Sequence, residues 1–115
     1  MLVKNVKDDT QCQARDDHAS VFDEHTKMLY VFGGYVNGDK SNDMWSYDLV
    51  NDCWKCLHPG DYKLDITRQN DKKIPKPRVG AKMVHVDAKT LYIHNGHDND
   101  NEKISDMWKF DLDAN

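Results

Sequence analysis

The sequence predicts an all-β protein of antiparallel four-stranded sheets, and three observations predict it. The first is an internal repeat. LYVFGG (29–34) returns as LYIHNG (91–96), and NDMWSYDL (42–49) returns as SDMWKFDL (105–112). ARDDHASVF (14–22) is echoed more loosely by PRVGAKMVH (77–85), at an offset of about 62 or 63 residues. A repeat of that length marks stacked supersecondary units. The second observation is that the apolar runs are short and alternate in the manner of strands. The third is that turn-forming residues separate them.

Each strand has its own justification. In 19–22, Ala19 and Val21 share one face and Ser20 and Phe22 the other, before the turn 23–26. The run 28–32 is too short for a helix and carries β-branched and aromatic residues. Its unbroken apolarity predicts burial on both faces. Gly33-Gly34 is expected to end it, because glycine permits positive φ and close backbone approach. In 44–49, Trp45, Tyr47 and Leu49 alternate with Met44, Ser46 and Asp48. A turn at 50–52 leads to a fourth strand at 53–57. The second unit repeats the plan with strands at 82–86, 91–94 and 107–112, and with no fourth strand before the sequence stops.

Composition narrows the function classes. The chain has 115 residues, enough for one domain, with 31% charged residues and a net charge of −4. That is too polar for a generous core and too aromatic for disorder. The mixed charge argues against nucleic-acid binding through a general basic surface and against a polybasic membrane anchor. No apolar run reaches the length of a membrane span, and MLVKNVKDD lacks the apolar stretch of a signal peptide. Three cysteines form no visible disulfide framework, which favours a reducing, cytoplasmic location.

The residues resemble the kelch repeat. The resemblance rests on the strand ending in Gly33-Gly34, on Tyr47 and Trp54 at kelch-like separation, and on the lead-in Arg15-Asp16-Asp17-His18-Ala19. It covers nearly everything from Arg15 to Leu112 apart from loops. The second copy departs from it: Asn95 replaces the first glycine, His94 replaces Phe32, Phe110 replaces Tyr47, and no second Trp54 follows. Gly96 and Trp108 keep the motif. The resemblance implies a β-propeller in which each repeat forms one four-stranded blade. The division expected is a preceding tail or linker at 1–14, a first blade at 15–57, an insertion at 58–76 and an incomplete second blade at 77–115. A propeller typically needs four to eight blades, so the unit is expected to need further blades or self-association. Residues 2–6 are one candidate for the missing strand.

In such a meander the second-to-third and blade-to-blade connections lie at one end. Those at 35–41, 97–104 and 58–76 are the long ones. Loops on a rigid scaffold concentrate binding residues, and an insertion as long as 58–76 is either functional or disordered. The candidate partner-binding residues are therefore Tyr35, Asn37, Asp39, Lys40, Arg68, Lys72, His97, Asp98 and Asp100. The resemblance implies a non-catalytic protein-interaction platform or substrate-recruiting module. A fragment of a kelch-fold enzyme, akin to a copper radical oxidase or a sialic acid epimerase, is the alternative. Neither family's site residues carry over, so no catalytic residue and no cofactor is assigned.

Two motifs invite chemistry and receive a blander reading. Cys53-Trp54-Lys55-Cys56 has redox or zinc spacing, but residues three apart on a strand point to opposite faces. No second pair completes a zinc site, and no helix start activates a thiol. The run from His94 to Glu102 is rich in metal-capable groups, which leaves a metal-dependent recognition module as a further alternative. Its order does not match an EF-hand, and Asn and Asp suit a solvated turn. No metal site is assigned. The scattered histidines have no nucleophile at matched spacing, and His18 is expected to pack or hydrogen-bond within the first strand. Asp43, Asp48, Asp106 and Asp111 recur in both copies and read as structural, with Asp48 and Asp111 accepting turn hydrogen bonds.

Overall fold

The computed structural model describes residues 1–3, 11–60 and 74–113. Seven strands follow in order: β1 (Ala19–Asp23), β2 (Met28–Val36), β3 (Asp39–Asp48), β4 (Cys53–His58), β5 (Lys82–Asp87), β6 (Thr90–His94) and β7 (Met107–Asp111). Each neighbour pairs antiparallel, giving a four-stranded sheet β1-β2-β3-β4 and a three-stranded sheet β5-β6-β7. There is no helix among the described residues.

The second strand does not end at the glycine pair. It bulges there, between Phe32 and Gly34, and continues to Val36. β3 correspondingly starts at Asp39 rather than Met44. The expected long connection 35–41 is thus a two-residue turn, Asn37-Gly38, with φ of 53° and 85°. Two positive φ values are what a type I′ hairpin turn requires, and Asn-Gly supplies them at low cost. Gly33 and Gly34 still serve close approach. A Cβ on Gly33 would lie 2.9 Å from the Arg78 carbonyl oxygen. In the second sheet Asn95 takes the place of Gly33 and adopts nearly the same φ, 65° against 67°. Asparagine tolerates that region better than most residues, so the departure from double glycine keeps the backbone.

Cross-strand partners share a face, so the registers sort the side chains. One face of the first sheet carries Ala19, Val21, Tyr30, Phe32, Met44 and Ser46. It packs on Met83, Leu91, Ile93, Trp108 and Phe110 of the second sheet, forming the shared core. Phe32 and Phe110 meet across it with ring centroids 5.8 Å apart. Burying a large apolar side chain contributes about 1.5–3 kcal/mol, so these few residues dominate the contact. The two contacting faces are not equivalent. By register, Leu91, Ile93, Trp108 and Phe110 correspond to Leu29, Val31, Trp45 and Tyr47, which lie on the opposite face of the first sheet. The sheets therefore stack head to tail.

Smaller expectations resolve as follows. Tyr30, Val31 and Phe32 are all buried, as the unbroken apolar run predicts. His18 is exposed and precedes β1 rather than packing within it, because β1 starts at Ala19. Residues 1–3 carry no strand, and the rest of the segment 2–6 lies outside the described residues. Asp48 accepts hydrogen bonds from the Val50 and Asn51 amides, and Asp111 accepts one from Asp113.

Candidate functional site

The end of the sheets opposite the tight turns gathers the Asn37-Gly38 hairpin, the connection between β6 and β7, and the segments leading into β1 and β5. Backbone bridges tie these pieces together. Asp16 pairs with Tyr35, Val79 with His97, and His97 with Lys103. The Gly34 amide donates to the Arg78 carbonyl at 3.0 Å, and the Arg78 amide donates to the Ser41 carbonyl at 3.1 Å. The second sheet's lead-in is thereby stitched to the first sheet's hairpin.

Side chains tighten the same seam. The Lys40 ammonium donates to the Asp98 carbonyl and, at 2.8 Å, to Asn101 Oδ1. It also lies 5.9 Å from the centroid of the Tyr35 ring. The Asp98 carboxylate accepts from Lys76 Nζ at 2.9 Å and from the amides of Asp100 and Glu102. Burial pushes its carboxyl pKa up, but the bonds from Lys76 and those two amides outweigh burial and hold it below the ordinary range.

One constellation appears in both sheets. Arg15 donates through Nη1 and Nη2 to the Asp43 carboxylate, at 2.6 and 2.9 Å, and Nη1 also reaches the Gly33 carbonyl. Arg78 does the same to Asp106 and to the Asn95 carbonyl. Trp45 Nε1 donates to Asp43 at 2.8 Å, and Trp108 Nε1 to Asp106 at 2.7 Å. Arg15 thus pins the bulge of β2 to β3, and Arg78 pins the residue that follows β6 to the lead-in of β7. Fork-to-fork pairing makes this stronger and more directional than a lysine contact.

Burial raises the pKa of both carboxyls, yet the arginine, tryptophan and (at Asp43) Ser41 bonds win and hold them low. Carboxylates depressed in the fold contribute stability that is fully present above the unfolded value of about 3.9. That stability is lost as pH falls through the lower folded values. Urea midpoints are therefore expected to stay flat from pH 7 to about pH 5 and to fall steeply below about pH 4. Asp43→Asn/Asp106→Asn should flatten that acid limb. An unchanged limb in this variant would show that other groups govern acid unfolding.

Residues 3–115 match the model of the KLHDC2/KLHL20/DRC7 Kelch-repeats domain. The chain belongs to the kelch-repeat family. It is 29% identical over 91 residues to the leucine-zipper-like transcriptional regulator 1 homolog of Drosophila melanogaster, covering 78% of this chain and 8% of that protein. It is also 29% identical over 103 residues to the negative regulator of sporulation MDS3 of Candida albicans, covering 73% of this chain and 7% of that protein. The chain thus spans less than a tenth of the length of these relatives. The two sheets are kelch blades of an incomplete propeller.

Within this kelch frame the nine loop residues separate into three groups. Asn37, Asp39, His97 and Asp100 are exposed at the stitched end, and Tyr35 is half-buried beside them. Lys40 and Asp98 are buried in the seam, so their polar groups hold the two blades together. Arg68 and Lys72 lie outside the described residues. Trp54 meets Tyr47 at 5.0 Å and Trp45 at 6.5 Å, ring to ring.

The repeated arginine clamp is what sequence reasoning missed. Its signal was present, since Arg15, Asp43 and Trp45 all recur at the same offset as Arg78, Asp106 and Trp108. Cys53 and Cys56 point to opposite faces, and Cys12, Cys53 and Cys56 are free. Burial pushes the Cys12 and Cys56 thiols up, which makes them poor nucleophiles. Among the described residues no three His, Cys, Asp or Glu side chains converge as a metal site. No helix among them is long and apolar enough to cross a membrane.

Proposed function

We propose that this kelch unit is a non-catalytic protein-binding scaffold or substrate-recruiting module whose partner engages the stitched end. One observation carries the reading. The Lys40–Asp98–Lys76 network fixes the hairpin against the neighbouring loop, so Asn37, Asp39, His97 and Asp100 stand on a rigid base. Pre-ordered loops bind without a further entropic cost of ordering. Kelch domains generally serve as protein-interaction modules. Both relatives above are named as regulators, which accords with recruitment rather than turnover. The free cysteines accord with a cytoplasmic setting.

The test is proximity labelling in cells with two variants. Asn37→Gly/Asp39→Ala/His97→Ala/Asp100→Ala, in which glycine keeps the positive φ of the turn, alters the stitched end, and Glu24→Ala/His25→Ala/Asn51→Ala alters the tight-turn end. Both sets are exposed, so thermal stability should stay within about 1 kcal/mol of the parent. The expected result is that proteins labelled by the parent are lost with the first variant and kept with the second. Equal labelling by all three chains would refute the reading.

A further inference from the structure

We propose that Asn37-Gly38 is a site of spontaneous deamidation, and that this modification loosens the stitched end. The sequence holds two Asn-Gly dipeptides, Asn37-Gly38 and Asn95-Gly96, and the fold treats them oppositely. Loss of ammonia from an asparagine requires the next residue's backbone nitrogen to reach the side-chain carbon. Glycine in that place leaves the approach clear, because it has no Cβ.

The first dipeptide is open. Both of its residues are exposed, and a Cβ on Gly38 would find no atom within 4 Å. Among the described residues no hydrogen bond holds the Asn37 side chain or the peptide group between it and Gly38. That peptide turns toward ring closure without giving up a bond of its own. The second dipeptide is locked. The Asn95 carbonyl accepts from Arg78 Nη1 at 3.3 Å, and the Gly96 carbonyl accepts from the Ile104 amide at 2.9 Å. Gly96 is buried, with the Val79 carbonyl oxygen 2.7 Å from where a Cβ would stand. Turning this peptide would take an acceptor from a buried guanidinium, which is costly.

The chemistry needs only water. Hydroxide takes the Gly38 amide proton, and the nitrogen attacks Asn37 Cγ. The new N–Cγ bond displaces the side-chain amide, which leaves as ammonia on gaining a proton from water. Water then opens the cyclic imide at either carbonyl and leaves aspartate or isoaspartate at position 37. Both products add a negative charge next to Asp39. Isoaspartate also routes the main chain through Cγ, one methylene longer. A two-residue turn with both φ positive sets Val36 opposite Asp39, and the extra carbon no longer fits it. Lys40, the next residue of β3, then loses the register that aims its ammonium at Asp98. The bearing of this change on binding rests on the reading above. The modification and the loosening are read on the chain itself, so the two proposals fail separately.

The experiment ages the whole chain in warm, mildly alkaline buffer, with and without urea, and follows each asparagine by peptide mass. Isoaspartate is marked by methyl transfer from a protein-isoaspartate methyltransferase. In the native chain Asn37 is expected to convert about tenfold or more faster than Asn95, and in urea the two rates should converge, because the lock on Asn95 is tertiary. Hydrogen exchange at the Val36 and Asp39 amides supplies the second arm. It should speed up about tenfold in the isoaspartyl form and stay near the parent's rate in Asn37→Asp, which carries the charge without the extra methylene. The proposal fails if native Asn37 converts no faster than native Asn95. It fails equally if the isoaspartyl form keeps the parent's exchange rates.

Discussion

Asp106→Ala is expected to cost about 3 kcal/mol of stability, the low end of the range for breaking a buried ion pair. Arg78 is 0% exposed while Asp106 is 36% exposed. Removing the carboxylate leaves a buried guanidinium without its counter-charge, and the loss is larger than deleting an exposed pair would give. Water can enter where Asp106 stood, which keeps the cost from the top of the range. The Asn95 and Lys76 carbonyls still accept from Arg78, but they carry no charge to balance it. For a domain this size the melting temperature should drop by roughly 10 °C. Thermal unfolding followed by tryptophan fluorescence measures it, and a loss below about 1 kcal/mol would show that the clamp is ornamental. Arg78 also lies at the seam, its amide and carbonyl bonded to Ser41 and Gly34. The variant should therefore loosen the second blade from the first, and hydrogen exchange at Gly34 should accelerate.

Gly34→Ala is the second change with a large expected effect, again about 3 kcal/mol or more. The added Cβ would sit 2.6 Å from the Asp16 carbonyl oxygen, 2.8 Å from His18 Cβ and 2.9 Å from His18 Cα. Two of those three are backbone atoms, so no rotamer change relieves them. The φ of 91° adds conformational strain. Gly38→Ala is the control, because its φ of 85° is similar but no atom lies within 4 Å of the new Cβ. It should cost about 1–2 kcal/mol, the backbone term alone. Urea midpoints of the two variants separate steric from conformational cost. Equal losses would mean the close approach of the lead-in strand contributes nothing.

Much of this was legible in the residues because it depends on local pattern. Alternation along 44–49 set one strand, and the runs at 28–32 and 91–94 set others. The recurring Asp48 and Asp111 were read as turn acceptors, and they are. What failed was the reading of Gly33-Gly34 as a stop. A glycine pair interrupts side-chain pattern whether the strand ends or bulges, and only the partner strand distinguishes the two. The Asn37-Gly38 dipeptide carried the better signal, since it demands a tight turn flanked by strands. The candidate site was less legible. Asp98 and Lys40 read as loop residues because charge normally marks solvent, yet they meet across 58 positions of sequence.

By itself the sequence determined the class, the strand spacing and the kinship of the two units, because repeats and strand periodicity are one-dimensional. Only the tertiary structure decided which face of each sheet is buried, that Arg15 and Arg78 clamp the aspartates, and that the sheets stack head to tail. Those follow from contacts between distant residues. Here two sheets of related sequence meet through unlike faces, so similar patterns acquire different surroundings. Trp108 and Phe110 enter the shared core, while Trp45 and Tyr47 meet Trp54 edge-on on the opposite face of the first blade.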